Sequence, residues 1–105
     1  MILWNETMYF GDNVKKKHRR IMHQIEPGRL VSGIFSITFA SNEANLFDIL
    51  EAKELLFPYY KKRDVHIVGL AKGRDEACLL VRDMIVEIYQ ETGGFDVRKY
   101  FSNKQ

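Results

Sequence analysis

Two groups of polar residues in this sequence could bind a small anion. Lys72, Gly73 and Arg74 follow an apolar run and open a helix-like stretch. Helix N-termini offer free N–H donors and partial positive charge to anions. A second polar group follows another apolar run, Leu30–Ala40. If both runs form parallel strands, the two groups lie at the same edge of the sheet, where the strands have their carboxyl ends. Open α/β sheets bind ligands at that edge. The residues of that second group are Ser41, Asn42 and Asn45.

The same turn has a simpler interpretation. The spacing of Gly69–Gly73 matches neither the dinucleotide-binding fingerprint nor the phosphate loop of nucleotide hydrolases. Asp75 and Glu76 follow Arg74 and would repel an anion. An ordinary strand-to-helix turn with a solvated Lys72 is therefore favoured over a phosphate or carboxylate site.

A basic run near the N-terminus could contact nucleic acid. Successive cations on one helix face can bind successive phosphates. However, the run coincides with the solvent face of an amphipathic helix predicted over residues 13–26, and the chain carries a net charge of only +2. Nucleic acid is therefore a disfavoured partner. The basic residues are Lys15, Lys16, Lys17, Arg19 and Arg20.

The histidines and the single cysteine do not form a recognisable catalytic or metal-binding pattern. His18, His23 and His66 lack the spacing of metal ligands, and no carboxylate pattern joins them. Cys78 cannot form an internal disulfide, and its apolar neighbours favour a buried, inert thiol. The sequence thus gives no support for an enzyme, a metal site or a cofactor.

Aromatic residues near the ends of segments point to a protein interface. Tyrosine and phenylalanine are enriched at such interfaces, and a small sheet leaves one face hard to cover. The alternative is that the same rings close the rims of a small core. A non-enzymatic interaction protein, paired with itself or with another protein, is the leading prediction. The candidate interface residues are Tyr59, Tyr60, Tyr100 and Phe101.

A strand, a tight turn and a helix form the strongest structural signal in the chain. Both faces of Val65–Ala71 are apolar apart from His66, which predicts a deeply buried strand. Helical periodicity then extends over Arg74–Thr92 and ends at Gly93. The predicted inner face of this helix is Ala77, Val81, Met84, Ile85, Ile88 and Tyr89.

Weaker patterns define the other elements. Leu30–Ala40 reads as an interior strand, and residues 46–63 read as a helical segment that Pro58 interrupts after Phe57. Residues 1–11 fit an edge strand or an N-terminal arm. Residues 95–101 fit either one more helical turn or a short strand.

These elements predict a single α/β domain over residues 1–105. We expect a small, mostly parallel sheet of about three strands with three helices. The order along the chain is β-α-β-α-β-α, with the first strand left open. A right-handed βαβ crossover would join the two central strands.

Composition limits the class of protein. The chain has 105 residues, of which 46% are hydrophobic and 29% are charged, as in ordinary globular domains. No apolar stretch approaches the roughly 18 residues of a membrane span, and the N-terminus lacks a signal-peptide pattern. Together with the single cysteine, these features predict a cytoplasmic protein without a membrane partner.

Overall fold

The computed structural model describes residues 1–42 and 44–103, which form a mixed α/β fold around a four-stranded sheet. The strands are β1 (Ile2–Phe10), β2 (Ile34–Phe39), β3 (Phe47–Glu51) and β4 (Val65–Lys72), in the spatial order β1-β4-β2-β3. The helices are α1 (His18–Ile25), α2 (Pro58–Lys61), α3 (Arg74–Thr92) and α4 (Val97–Asn103). Two 3₁₀ segments, at Lys15–Lys17 and Ala52–Leu56, complete the described elements.

The sheet is mostly antiparallel, so the predicted parallel sheet is wrong. Among the paired strands of the described chain, β1 and β4 run parallel, whereas β2 runs antiparallel to both β3 and β4. The reversal arises because the chain after β2 turns back as a strand instead of crossing over as a helix. No βαβ crossover therefore links β2 to β4.

The predicted helix after β2 contains β3 because its apolar side chains find partners across a hairpin. Ile49 pairs with Ile37, and Phe47 pairs with Phe39. Such cross-strand apolar pairs stabilise a sheet, and a five-residue run is too short for periodicity to distinguish strand from helix. The predicted interruption at Pro58 is confirmed, because the residue before it is extended and Pro58 begins α2.

Both faces of the sheet are covered, and β4 contributes to both cores. On one face, Ile67 and Leu70 pack with Ile21 of α1. On the other face, Val68 packs with Met84 of α3 and with residues of α4. The prediction that this strand is deeply buried is confirmed, since its residues from Ile67 to Ala71 are all buried.

Helix α3 follows its predicted boundaries, but two of its side chains were wrongly assigned. Ala77 and Met84 are buried as predicted, and Gly93 ends the helix in the left-handed conformation with φ of 74°. Tyr89, predicted on the inner face, is half-exposed. Cys78, predicted to be buried, is exposed because it is offset by about 100° around the helix from its buried neighbour.

The two ends of the chain adopt one of the alternatives that the sequence left open. Residues Ile2–Phe10 form an edge strand, with irregular pairing to β4 between Trp4 and Tyr9. Residues Val97–Asn103 form α4, a helix that lies against the same sheet face as α3.

Candidate functional site

The six residues of the predicted anion site do not come together. Lys72 pairs with Ile34 at the beginning of β2, and the Gly73 N–H donates to the carbonyl of Gly33 at 2.8 Å. Ser41 instead follows the end of β2. Because β2 and β4 are antiparallel, the two predicted groups lie at opposite ends of the sheet.

The turn at the beginning of α3 is occupied by a carboxylate of the chain itself. The Lys72 N–H donates to Glu76 Oε2 at 2.6 Å. Asn13 donates to Glu76 Oε1 through its backbone N–H at 3.2 Å and through Nδ2 at 2.7 Å. Glu76 thus takes the position that the alternative hypothesis gave to an external anion, and it ties this turn to the segment after β1.

The second predicted group shapes the hairpin between β2 and β3. The Ser41 N–H donates to Asp48 Oδ2 at 2.9 Å. Asn42 Oδ1 accepts from the N–H groups of Ala44 and Asn45, at 3.0 and 3.2 Å. The Asn42 side chain therefore supports the turn, as asparagine commonly does.

A cavity of about 260 Å³ lies beside this hairpin, between the end of β2 and the beginning of β4. We call it the β2–β4 cavity. Aromatic rings, two arginines, a histidine and two carboxylates line it. Its wall includes Ser41, Asp48, Tyr59, Arg63, His66 and Arg98.

Each arginine of this wall lies over an aromatic ring. The guanidinium carbon of Arg63 is 4.2 Å from the ring centroid of Tyr59, and that of Arg98 is 4.8 Å from the ring centroid of Phe39. Arg98 Nη2 also donates to the carbonyl of Ala40 at 3.0 Å. Within the described chain, neither guanidinium has a carboxylate at ion-pair distance.

His66 lies in the same wall and donates a hydrogen bond through Nε2. Asn5 Nδ2 donates to the carbonyl of Thr7 at 2.7 Å, which leaves Asn5 Oδ1 to accept from His66 Nε2 at 3.1 Å. The ring of Phe39 contacts the imidazole edge-to-face at 4.9 Å. Burial, followed by the positive charge of Arg98, lowers the pKa of His66 below its ordinary value of 6.5.

A second candidate surface lies on the outside of α3. Leu79 is 52% exposed and Val86 is 48% exposed, on the side of the helix opposite the buried Met84. Tyr89 is 51% exposed and stacks on Phe95, with ring centroids 5.1 Å apart and planes 19° apart. We call Leu79, Val86, Tyr89 and Phe95 the outer stripe.

The four predicted interface aromatics divide into two kinds. Tyr100 is 4% exposed and Phe101 is 0% exposed, so both belong to the core and cannot contact a partner in the folded chain. Their burial follows from the helical form of α4, which turns both rings onto the sheet. Tyr59 is exposed and Tyr60 is half-buried, with their rings edge-to-face at 4.9 Å.

The basic run forms a solvent-facing surface. All five of its Lys and Arg residues are exposed, and Lys15 pairs with Asp12 at 3.2 Å. The helix predicted over residues 13–26 begins only at His18, because residues 15–17 form a 3₁₀ segment, and its buried side chains are Ile21 and Ile25. Nucleic-acid binding through this run stays a prediction.

The other two histidines lie outside the β2–β4 cavity and the outer stripe. His18 stacks on Phe10, with ring centroids 4.4 Å apart, and His23 is exposed. In residues 1–42 and 44–103, no cluster of His, Cys, Asp and Glu side chains could hold a metal ion. No helix in those residues is both long enough and apolar enough to cross a membrane.

Comparisons with protein-family models, with curated proteins and with solved structures gave no match. The function must therefore be inferred from the geometry of the two surfaces just described.

Sequence reasoning missed the residues that distinguish these surfaces. Leu79 and Val86 had a usable signal, because apolar residues seven apart recur on one side of a helix. Arg63 and Arg98 had none, since they are far apart in sequence and only the packing of α4 beside β4 brings them to one cavity.

Proposed function

We propose that this protein is a non-enzymatic interaction module that pairs with a second copy of itself through the outer stripe. The observation that carries this proposal is the exposure of Leu79 and Val86 opposite the buried side of α3. Side chains of this kind gain about 25 cal/mol for each Å² of apolar surface removed from water. Tyr89 and Phe95 extend the apolar surface at one end.

The symmetry of a homodimer suits this surface. A two-fold axis places the same patch of each subunit against its copy. Leu79 and Val86 are seven residues apart, or about two helical turns, so two stripes can interdigitate along crossed helices. An antiparallel pair would lay the Leu79 end of one helix beside the Tyr89 end of the other.

The antiparallel arrangement is favoured by the helix dipoles, which oppose each other in it. The charged side chains of α3 do not select an orientation, because Asp75, Glu76 and Asp83 accompany Arg74 and Arg82 in its first half. A second copy as the partner is therefore supported by the seven-residue spacing of the outer stripe and by these dipoles.

Analytical ultracentrifugation of the purified protein over a wide concentration range tests the proposal. We expect a monomer–dimer equilibrium that Val86→Glu and Leu79→Glu each shift at least about tenfold toward the monomer, because a buried carboxylate without a partner is costly. Leu30→Glu is the matched control, since it makes the same kind of change at an exposed leucine outside α3. That variant should dimerise as the parent does.

Two outcomes would overturn this assignment. One is a monomer at every concentration reached. The other is a dimer that survives Val86→Glu but is lost in Tyr59→Ala, which would move the interface to the exposed aromatic beside α2. Circular dichroism of each variant confirms that the fold is retained.

We also propose the cytoplasm as the location of this protein. The support is its single cysteine, Cys78, which is exposed and has no partner for an internal disulfide. Cell fractionation with an antibody against the native chain would test this. Recovery in a secreted or membrane fraction would contradict it.

A further inference from the structure

We infer that the β2–β4 cavity binds a small organic anion, whose carboxylate or phosphate group is held by Arg63 and Arg98. This site is independent of the proposed dimer surface. It also differs from the site predicted from sequence, because Lys72 and Arg74 lie at the other end of the sheet.

The two arginines are prepared for an anion. Each guanidinium lies over an aromatic ring, Arg63 over Tyr59 and Arg98 over Phe39, and this contact leaves N–H groups for oxygen acceptors. A single donation of Arg98, to Ala40, accounts for one of its five N–H groups. Two cations that line one cavity without ion-pair partners in the described chain are complementary to an oxyanion.

The carboxylates of the wall limit the charge of the ligand. Asp48 accepts from the N–H of Ser41 at 2.9 Å, and Asp64 lies 3.8 Å from the N-terminal ammonium of Met1. Within the described residues, neither acid forms an ion pair with Arg63 or Arg98. They would still repel a polyphosphate, which favours a ligand with a single anionic group.

The volume of the cavity and its aromatic side chains indicate what the uncharged part of the ligand is. A volume of about 260 Å³ lies just below the range of typical small-molecule sites, so the ligand is smaller than a nucleotide. Phe39, Tyr59 and Tyr60 supply aromatic surface in the same wall. A flat or short apolar body attached to one carboxylate or phosphate fits this chemistry.

NMR titration of the ¹⁵N-labelled protein tests this inference with phenyl phosphate and with benzoate. Benzyl alcohol, which has the ring without the charge, is the control ligand. We expect saturable shifts of the amide signals of Ser41, Arg63 and His66 with at least one anion and none with benzyl alcohol. Comparison of the two dissociation constants shows whether the site prefers phosphate or carboxylate.

Three variants test whether the anion binds in the cavity. Arg63→Gln removes an exposed cation and should weaken binding about tenfold. Arg98→Lys keeps the charge but loses the planar fork, and it should weaken binding several-fold if the guanidinium contacts the anion. Arg19→Gln, which removes an exposed arginine of the basic run, should leave the affinity unchanged.

Several results would overturn the inference. One is the absence of saturable shifts with either anion at tens of millimolar. Another is a set of shifts confined to the basic residues 15–20. The third is equal affinity for the anion in the parent and in Arg63→Gln. Repeating the titration in Val86→Glu separates the two proposals, because loss of the dimer should not change binding at this cavity.

Discussion

The hydroxyl oxygens of Tyr9 and Tyr100 lie 2.7 Å apart and connect the edge strand β1 to the last helix, α4. Either hydroxyl of this pair can be the donor. The carboxylate of Glu87, in α3, also acts on the Tyr9 phenol and favours its protonated form. One short hydrogen bond thus joins two elements that are distant in sequence, beside a carboxylate of a third.

The tyrosine pair should contribute measurably to stability. Tyr9→Phe and Tyr100→Phe each remove a bonded hydroxyl, and we expect a coupling energy of about 1 kcal/mol in a double-mutant cycle. Urea unfolding of the four proteins measures it. Tyr59→Phe, at an exposed ring, is the control and should change the free energy of unfolding by much less. Additive effects of the two substitutions would contradict the bond.

The same pair makes stability sensitive to alkali. Burial, followed by the bonds to Tyr100 and Glu87, raises the pKa of Tyr9 above its ordinary value. The stabilisation is therefore complete below the unfolded-state pKa of about 10 and decreases as the pH rises above it. We expect Tyr9→Phe to lose less stability than the parent between pH 9 and pH 11. Equal losses in both proteins would be evidence against a perturbed Tyr9.

Glu76 should matter more than other acids of the first turn of α3. Glu76→Gln replaces one acceptor oxygen by a donor that faces other donors, so we expect a loss of about 1–3 kcal/mol in the free energy of unfolding. Asp75→Asn removes the same charge one residue away, where no hydrogen bond or ion pair within the described residues reaches the carboxylate, and it should cost only the smaller helix-dipole contribution. Equal costs would show that charge alone matters. Thermal or urea unfolding gives both values.

Gly11 should be intolerant of a side chain because of the same carboxylate. A Cβ at Gly11 would overlap the Glu76 carboxylate, which three hydrogen bonds hold in place. We expect Gly11→Ala to destabilise the protein by about 1–2 kcal/mol. In a Glu76→Ala background the added cost should largely disappear. A cost that persists there would place its origin in the backbone.

His66 should make the fold less stable in mild acid. Its pKa is lowered by burial and by Arg98, so the native state binds fewer protons than the unfolded state. The stability is therefore complete above the unfolded-state pKa of about 6.5 and decreases as the pH falls through the folded-state value. Unfolding curves between pH 8 and pH 5 should show this decrease in the parent and in His23→Gln. A decrease of the same size in His66→Gln would remove His66 as its source.

Elements with a long, regular hydrophobic period were predicted correctly from the sequence. The prediction was wrong where pairing with another strand determines the secondary structure. Val65–Ala71 and Arg74–Thr92 have long, clear patterns, and both were located correctly. The run Phe47–Glu51 is short and fits strand or helix equally, and its pairing with β2 made it a strand. Because of this one wrong assignment, β2 was expected to run parallel to β4, whereas the two strands are antiparallel.

The anion site proposed from the sequence depended on the same assignment of residues 47–51. Ser41 was correctly placed at the end of a strand, but its expected partner Lys72 lies at the opposite end of the sheet. The cations that do line a cavity with Ser41 come from the loop before β4 and from α4. No local pattern marks Arg63 or Arg98, because only the completed sheet and α4 bring them together.

The central position of β4 has a consequence for the synthesis of this protein. Within the described sheet, β1 pairs with no strand other than β4, and β2 needs β4 on one side. A nascent chain that ends before Val65 can form at most the β2–β3 hairpin, and an isolated hairpin is marginally stable. The ribosome must therefore release β4 before β1 has a strand to pair with, so this sheet cannot be completed until residues up to Lys72 have emerged.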